Sequence, residues 1–183
     1  MTTFIALLRG INVSGQKKIK MADLRVKLEK LGFISVRTYI QSGNIIFQYK
    51  INDIVALQDL IKKEIIDQFG YDVPVLVFTV EMLSSIYKKN PFIERLKSGE
   101  IEEKKMFFTI LQDTPDIAVV KELMSNSYEE EYMIVDRTVY MFAVNGYGKT
   151  KLNNNFFERK LKTIATTRNL KTMNKLLELS SLG

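Results

Sequence analysis

The strongest constraint on the fold is an order of strand and helix patterns that occurs twice along the chain. In the first half, apolar or β-branched runs of strand length alternate with segments whose apolar residues recur every three or four positions. Gly32 and Gly70 follow the two helical segments, at the position where glycine commonly ends a helix. The predicted elements are a strand at 3–8, a helix at 21–31, strands at 35–40 and 44–49, a helix at 53–69 and a strand at 73–80.

The second half repeats this order without repeating the sequence. Its predicted elements are a strand at 106–111, a helix at 116–124, strands at 132–135 and 139–143, a helix at 152–161, a strand at 163–167 and a final helix at 170–179. The order β-α-β-β-α-β is that of ferredoxin-like units. We therefore predict an α+β protein with two tandem ferredoxin-like units plus a C-terminal helix. The predicted boundaries are 1–80 for the first unit, 81–105 for a connecting helix and loop, and 106–183 for the second unit with its helix.

The absence of cysteine and histidine excludes several classes of function. Without cysteine there is no disulfide, thiolate metal site or thiol nucleophile. Without histidine the usual near-neutral general base and the commonest transition-metal ligand are missing. An enzyme of this composition would depend on Asp, Glu, Lys, Tyr, Ser or Arg, and no paired-carboxylate motif identifies a catalytic residue. We expect no metal site, and the sequence identifies no cofactor.

The sequence also predicts a cytoplasmic protein without a membrane partner. The apolar stretch Phe4 to Leu8 is followed at once by Arg9 and Gly10. A signal peptide instead begins with positive charge and continues with a longer apolar run. No segment approaches the roughly 20 apolar residues that a membrane-spanning helix needs.

The net charge of +6 is distributed unevenly. One region, from Gly146 to Lys175, has eight basic residues against the single acid Glu158. A second cluster, without acids, consists of Arg9, Lys17, Lys18 and Lys20. Basic clusters favour phosphates, nucleic acid or acidic metabolites, although many soluble proteins are mildly basic without such a partner. The partner that we expect from the charge is a nucleotide or a nucleic acid.

Two glycine-containing turns in the first half have the residues of an anion site. The turn after the first strand reads R-G-I-N-V-S-G-Q-K-K. Its glycines allow successive backbone N–H groups to point at one anion, and Arg9 adds a planar fork that matches a carboxylate or phosphate. The predicted hairpin turn reads Q-S-G-N, and Gln41 can project a polar amide from it. Both segments also fit plain turns, in which glycine and asparagine serve backbone conformation alone.

Two segments of the second half have weaker signatures of anion binding. Residues 143–150, A-V-N-G-Y-G-K-T, nearly match the phosphate-binding loop G-x-x-x-x-G-K-[ST]. The antiparallel hairpin predicted before them argues against that loop, which follows a strand of a parallel sheet. The segment T-T-R-N is predicted to open the last helix, with Thr167 or Asn169 as the cap. Arg168 beside the positive end of that helix would need a compensating anion, either a ligand or an internal acid.

The chain combines the segments L-L-R-G-I-N-V-S-G, T-Y-I-Q-S-G-N-I-I-F, G-Y-G-K-T-K-L-N-N-N-F-F-E-R-K-L and A-T-T-R-N-L-K-T-M-N-K-L. In this combination, from Phe4 to Leu179, it resembles the bacterial family called domain of unknown function 1697. The resemblance implies two ferredoxin-like α+β units and supplies no activity. Family members often have glycine where Ser14 lies and tryptophan where Leu170 lies. The candidate ligand-binding residues that the family motifs mark are Arg9, Gly10, Asn12, Gln41, Ser42, Gly43, Asn44, Lys151, Thr167, Arg168 and Asn169.

The leading hypothesis from the sequence is a binding module for an anionic ligand, either a nucleotide or a nucleic-acid phosphate, in the cleft between the two halves. In this hypothesis Arg9 and Arg168 are the anion forks and Lys151 supplies long-range attraction. Two alternatives stay open. One is a small transferase or hydrolase acting on a phosphorylated or carboxylated metabolite. The other is a scaffold or oligomerisation protein whose polar motifs only fix turns.

Overall fold

The structure is a computed structural model that describes residues 1–50 and 52–181, and these form eight strands and seven α-helices. The strands are β1 (Thr2–Leu8), β2 (Ile34–Tyr39), β3 (Asn44–Tyr49), β4 (Val75–Thr79), β5 (Met106–Leu111), β6 (Glu131–Val135), β7 (Thr138–Phe142) and β8 (Ala165–Asn169). The helices are α1 (Met21–Lys30), α2 (Ile54–Phe69), α3 (Val80–Lys88), α4 (Ile93–Lys97), α5 (Ile117–Met124), α6 (Asn154–Leu161) and α7 (Leu170–Ser180). The predicted mixture of helices and antiparallel strands is confirmed.

The first sheet has the strand order β2-β3-β1-β4, with all neighbours antiparallel. The central strand β1 is buried on both faces from Phe4 to Leu8. This explains its continuous apolar sequence, because a strand with one solvated face would alternate apolar and polar residues. On one face, Phe4 and Phe47 stack within a core that includes Leu28 of α1 and Ile61 of α2.

Helix α2 illustrates how local sequence sets the limits of an element. The Asp53 side chain accepts a hydrogen bond from the Ala56 N–H at 3.0 Å and so caps the first turn. Gly70 ends the helix with a φ of 74°, in the left-handed region that glycine adopts without a steric penalty. Between these signals, Leu57, Ile61 and Ile65 recur every four residues and form the buried face.

The second sheet has the strand order β6-β7-β5-β8, again with all neighbours antiparallel. Alternate residues of β5 and β7 face a core that includes Phe157 and Leu161 of α6. Phe157 makes edge contacts with the rings of Tyr132 and Phe156. The strand β6 forms one edge of this sheet and β8 forms the other.

The chain divides into two compact units. The first unit contains Met1–Ser84 together with Lys175–Gly183, and the second unit contains Ser85–Asn174. Within the first unit, an Arg37 Nη1–H of β2 donates to the Leu179 carbonyl oxygen at 3.2 Å. The second part of α7 therefore lies beside β2 in the same unit.

Two predictions of local structure were wrong. The connection between the halves, predicted as one short helix and a loop, contains α3 and α4. The T-T-R-N segment, predicted to open the last helix, forms most of β8: the strand predicted to end at Thr167 continues through Arg168 and Asn169. Pairing with β5 across five positions, from Leu111–Ala165 to Phe107–Asn169, supplies hydrogen bonds that the isolated segment lacks. Only Asn169 caps α7, where its Oδ1 accepts from the Thr172 N–H at 2.9 Å.

Replacing Tyr140 with phenylalanine is expected to lower the free energy of unfolding by about 1–2 kcal/mol. The buried Tyr140 hydroxyl donates at 2.7 Å to the carbonyl oxygen of Ile86 in the last turn of α3, an oxygen that such a helix end leaves without a partner. Urea denaturation at pH 7 measures the change. A loss below about 0.3 kcal/mol, which is the error of such a difference, would contradict this prediction. It would mean that water hydrogen-bonds to the Ile86 carbonyl oxygen in the variant, and hence that this oxygen is not enclosed.

The same hydroxyl predicts a loss of stability at alkaline pH. Burial raises the pKa of Tyr140 to about 12, whereas an unfolded tyrosine titrates near 10. The folded state therefore keeps a proton that the unfolded state has lost, and this contribution disappears as the pH rises from about 10 to about 12. The Tyr140→Phe variant should lose less stability over that interval than the wild type.

Candidate functional site

Three loops meet at the end of the first unit where β1 ends, and we call them the loop end: residues 9–20, 40–43 and 70–74. The Leu8 N–H donates to the Gly43 carbonyl oxygen at 2.8 Å, and the Arg9 N–H donates to that of Pro74 at 3.0 Å. The antiparallel pairing of β1 with β3 and β4 brings these loops together. Two motifs far apart in sequence therefore form one surface.

Asn12 is the side chain that joins the first two loops. Its Nδ2 donates to the carbonyl oxygens of Gln41 at 2.8 Å and Ile19 at 2.9 Å. Its Oδ1 accepts from the Ile19 N–H at 2.9 Å. The amide is thus occupied within the protein, and Asn12 positions the loops instead of contacting a ligand.

The turn between β2 and β3 is held by its own side chains. Asn44 is fully buried, and its Nδ2 donates to the Tyr39 carbonyl oxygen and to the Ser42 Oγ, both at 3.0 Å. Gly43 has a φ of 80°, and a Cβ there would lie 2.6 Å from the Leu8 Cβ. These residues fix the turn against β1, which leaves the exposed Gln41 as the polar group that the turn presents to solvent.

The loop after β1 has an unusual backbone. Five of the nine residues from Arg9 to Lys17 have a positive φ, and three of them (Asn12, Ser14 and Lys17) are not glycine. Such conformations cost energy and arrange neighbouring N–H groups into concave anion-binding shapes. Among residues 1–50 and 52–181, no acceptor lies in hydrogen-bond range of the N–H groups of Gly10, Ser14 and Gly15.

Positive charge surrounds this loop. Lys18 and Lys20 are exposed and form no ion pair with any residue that the structure describes. Lys17 donates from Nζ to the Asp72 carbonyl oxygen at 2.6 Å, and the Asp72 carboxylate is paired with Lys62 at 2.9 Å. Arg9 is half-buried at the base of the loop.

The A-V-N-G-Y-G-K-T segment of the second unit does not have the geometry of a phosphate-binding loop. Its strand β7 is antiparallel to both neighbours. The loop N–H groups of Gly146, Lys149 and Thr150 donate to carbonyl oxygens of the same loop, as in ordinary turns. They are therefore not directed at an external anion.

Thr167 joins three motifs of the second unit. Its hydroxyl donates to the Asn154 Oδ1 at 2.6 Å and accepts from the Tyr147 hydroxyl at 3.1 Å. Because its one hydrogen is used, the 2.7 Å contact with Thr109 has Thr109 as the donor. Tyr147 in turn accepts from the Asn154 N–H at 3.2 Å. The roles of Thr109 and Asn154 depend on strand pairing, which no local sequence pattern indicates.

Arg168 lies in β8 with only 7% of its surface exposed. Its Nη1 donates to the Thr166 Oγ1 at 2.9 Å and to the Thr167 carbonyl oxygen at 2.8 Å. Burial lowers the pKa of Arg168 to about 10, because an enclosed charge loses its hydration. Arg9 belongs to the first unit and Arg168 to the second, and the cleft between the halves stays a prediction. Lys151 of the second unit is exposed.

A groove of about 430 Å³ that no sequence motif indicates lies beside β6 in the second unit. Phe92, Tyr128 and Tyr132 form its apolar part. Arg95 also lines it and pairs with Glu131 and Glu100, both at 2.6 Å. Within residues 1–50 and 52–181 there is no group of three metal-binding side chains and no helix long and apolar enough to cross a membrane.

Comparisons with known proteins give a fold and a family. The chain is similar to the solved structure of the conserved bacterial protein SP0830 from Streptococcus pneumoniae, with a TM-score of 0.75, 24% identity and 98% of each chain covered. No curated protein matches the chain. A family model matches residues 1–140, which include the Arg9 loop and the Gln41 turn, whereas Lys151 and 167–169 lie beyond the match. The chain belongs to the family described as "Protein of unknown function (DUF1697)".

Proposed function

We propose that the protein binds the phosphate group of a nucleotide-like anion at the loop end of its first unit. The observation that carries this proposal is the meeting of the two motifs through Asn12, which brings a left-handed loop, an exposed amide and unpaired lysines to one surface. Each feature alone also occurs in plain turns. Their coincidence at one end of a sheet favours a ligand.

The proposed site uses backbone N–H groups as its principal donors. The N–H groups of Gly10, Ser14 and Gly15 have no acceptor among the described residues, and a phosphate offers several oxygens that accept from such groups at once. The strained φ values of Asn12, Ser14 and Lys17 support a functional role, because backbone strain of this kind clusters at ligand sites.

Side chains complete the proposed site in two ways. Arg9, Lys18 and Lys20 supply the positive charge that attracts and holds the anion. The exposed Gln41 amide orients the ligand next to it. The structural members Asn12, Ser42, Gly43 and Asn44 hold the loops at a fixed spacing, so that little conformational entropy is lost on binding.

We also propose that each unit is ferredoxin-like, as the resemblance implied. The order β-α-β-β-α-β in each unit supports this interpretation, together with the strand orders β2-β3-β1-β4 and β6-β7-β5-β8. In such an arrangement the loop after the first strand and the turn between the second and third strands lie at the same end of the sheet, as the proposed site requires.

Titration with sodium phosphate and with a mononucleotide, followed by ¹⁵N–¹H NMR at constant ionic strength, tests the proposed site. We expect the amide resonances of Gly10, Ser14 and Gly15 to shift and saturate. The Lys18→Glu/Lys20→Glu variant should bind at least about tenfold more weakly, because two attractive charges become repulsive.

The matched control is Lys27→Glu/Lys30→Glu, which makes the same charge change at the other end of α1, about 13 Å away by helix geometry. It should retain affinity within about threefold, because solvent and salt screen exposed charges at that distance. Shifts spread evenly over the surface, or equal losses in the two variants, would contradict a localised site.

A further inference from the structure

The entire net charge of the protein lies in residues 144–174, which we call the basic segment. This segment has seven basic residues and one acid, whereas the rest of the chain has 20 of each sign. The segment belongs to the second unit. Its charge is therefore a local property of that unit and is separate from the loop end of the first unit.

Six of the seven cations are exposed, and they form no ion pair with any residue in the described ranges. They are Lys149, Lys151, Arg159, Lys160, Lys162 and Lys171. Five other cations of the same unit, by contrast, pair with acids: Lys89, Arg95, Lys97, Lys104 and Lys105. The basic segment thus has positive charge that the protein does not neutralise.

Two carboxylates in or beside this segment accept hydrogen bonds from its own N–H and hydroxyl groups and form no ion pair with the six exposed cations. The Glu158 Oε1 accepts from the Ala165 N–H at 3.0 Å, which directs this carboxylate toward β8. The Asp113 carboxylate accepts from the Thr163 hydroxyl at 3.0 Å. On α6, Phe157 and Leu161 form the buried face, so Arg159 and Lys162, three residues apart, share the solvent side.

Lys162 occupies a position that normally favours glycine. It ends α6 with a φ of 54°, in the left-handed region where a side chain is strained. Glycine would relieve this strain. The change would break no side-chain hydrogen bond, because the Lys162 side chain makes none with the residues that the structure describes. A lysine at this position destabilises the fold relative to glycine, so a function of its positive charge would explain why it is there.

We infer that the exposed cations on α6 and its flanking loops (Lys149, Lys151, Arg159, Lys160 and Lys162), which we call the α6 surface, bind the sugar–phosphate backbone of a nucleic acid. Cations spread over a helix and its flanking loops match a polymer with regularly spaced phosphates better than a single small anion. The aromatic residues of the segment do not offer stacking faces, because Tyr147 is held by Thr167 and Phe156 packs on Tyr128. Binding is therefore electrostatic and independent of base sequence.

An anionic lipid surface is a poorer match for the same charges. Amphipathic surfaces that bind lipid insert apolar side chains between the head groups. In the basic segment only Val144 is an exposed large apolar residue. The α6 surface therefore has the charge for a lipid surface without the apolar component.

Fluorescence anisotropy with labelled 20-nucleotide single-stranded DNA, a 20-base-pair duplex and the corresponding RNA tests this inference on the full chain. In potassium chloride from 50 to 300 mM, log Kobs should fall linearly with log salt. Arg159→Gln/Lys162→Gln should weaken binding about tenfold at 50 mM and reduce the slope by about 2, since two phosphate contacts are lost.

The control Lys88→Gln/Lys97→Gln removes the same charge elsewhere in the second unit and should change affinity less than about threefold. The variant Lys162→Gly should unfold at the same or a higher urea concentration than the wild type and still bind about threefold more weakly. No binding at 50 mM salt, or equal losses in test and control, would overturn the inference. So would binding to phosphatidylglycerol vesicles with none to the oligonucleotides.

Discussion

Gly43→Ala is expected to lower the free energy of unfolding by about 3 kcal/mol, the largest effect of a single methyl group that we predict. Two costs combine at this position. The φ of 80° places an alanine in the left-handed region, and the new Cβ would meet the Leu8 Cβ at 2.6 Å and the Ile11 Cδ1 at 3.0 Å. The Leu8 Cβ is fixed to the backbone of a central strand, so it cannot move aside without displacing β1.

Gly70→Ala is the matched control for this prediction. Gly70 has a similar φ of 74°, but no atom lies within 4 Å of a Cβ built on it. Only backbone strain remains, and we expect a loss of about 1 kcal/mol. Urea denaturation of both variants measures the difference. Equal losses would mean that the turn can move away from β1, and the close approach of the two loops would then not be rigid.

Asn12→Asp is expected to lower the free energy of unfolding at pH 7 by about 3 kcal/mol. The change conserves shape and removes both hydrogen bonds donated by Nδ2, to Gln41 and Ile19. It also places a carboxylate against two carbonyl oxygens. The same change at the exposed Asn174, which joins no loops, should cost less than about 0.5 kcal/mol.

The pH dependence of the Asn12→Asp variant gives a second measurement. Nearby carbonyl oxygens favour the protonated acid, so the pKa of the introduced group is higher in the folded than in the unfolded state. Its contribution to stability is therefore present below the unfolded value of about 4 and is lost as the pH rises through the folded value. Relative to the wild type, the variant should regain stability between pH 6 and pH 4. A constant difference over that range would contradict the contact geometry.

The same variant links stability to the proposed function. If Asn12 holds the loop after β1 in its left-handed conformation, releasing it should also abolish phosphate-dependent shifts at Gly10 and Ser14. If phosphate still shifted these resonances in the destabilised variant, anion binding would not depend on the loop conformation that Asn12 holds.

Most elements of the fold could be predicted because their own residues specify them. Strand β5 has the predicted limits Met106–Leu111, since a short, continuously apolar run suits a buried central strand. Helix α4, at Ile93–Lys97, has only five residues, too few for a periodic pattern to be visible. Strand β8 extends two residues past its predicted end at Thr167, because asparagine is rare in strands and Asn169 suits the cap of a following helix. Its pairing with β5 is decided more than 50 residues away in the sequence.

The site was predictable in its residue types and unpredictable in its connections. Glycine, arginine and lysine in the loop after the first strand indicated a turn with groups that can bind an anion. The hydrogen bond from Asn12 to Gln41 spans 29 positions and depends on the antiparallel registers of β1, β3 and β4, which no local pattern encodes. The burial of Arg168 was not predicted for a similar reason. Arg168 was expected at a helix terminus, whereas in β8 successive side chains point to opposite faces of the sheet and that of Arg168 points to the buried face.

The division of α7 between the units has a consequence for synthesis of the chain. Lys175 and the residues after it belong to the first unit, although some 90 residues of the second unit separate them from Ser84. On the ribosome, at roughly 5–20 residues per second, β1 to β4 must wait several seconds before the segment that contacts Arg37 emerges. During that interval the side of the nascent first unit that α7 later covers, beside Arg37, stays exposed to solvent.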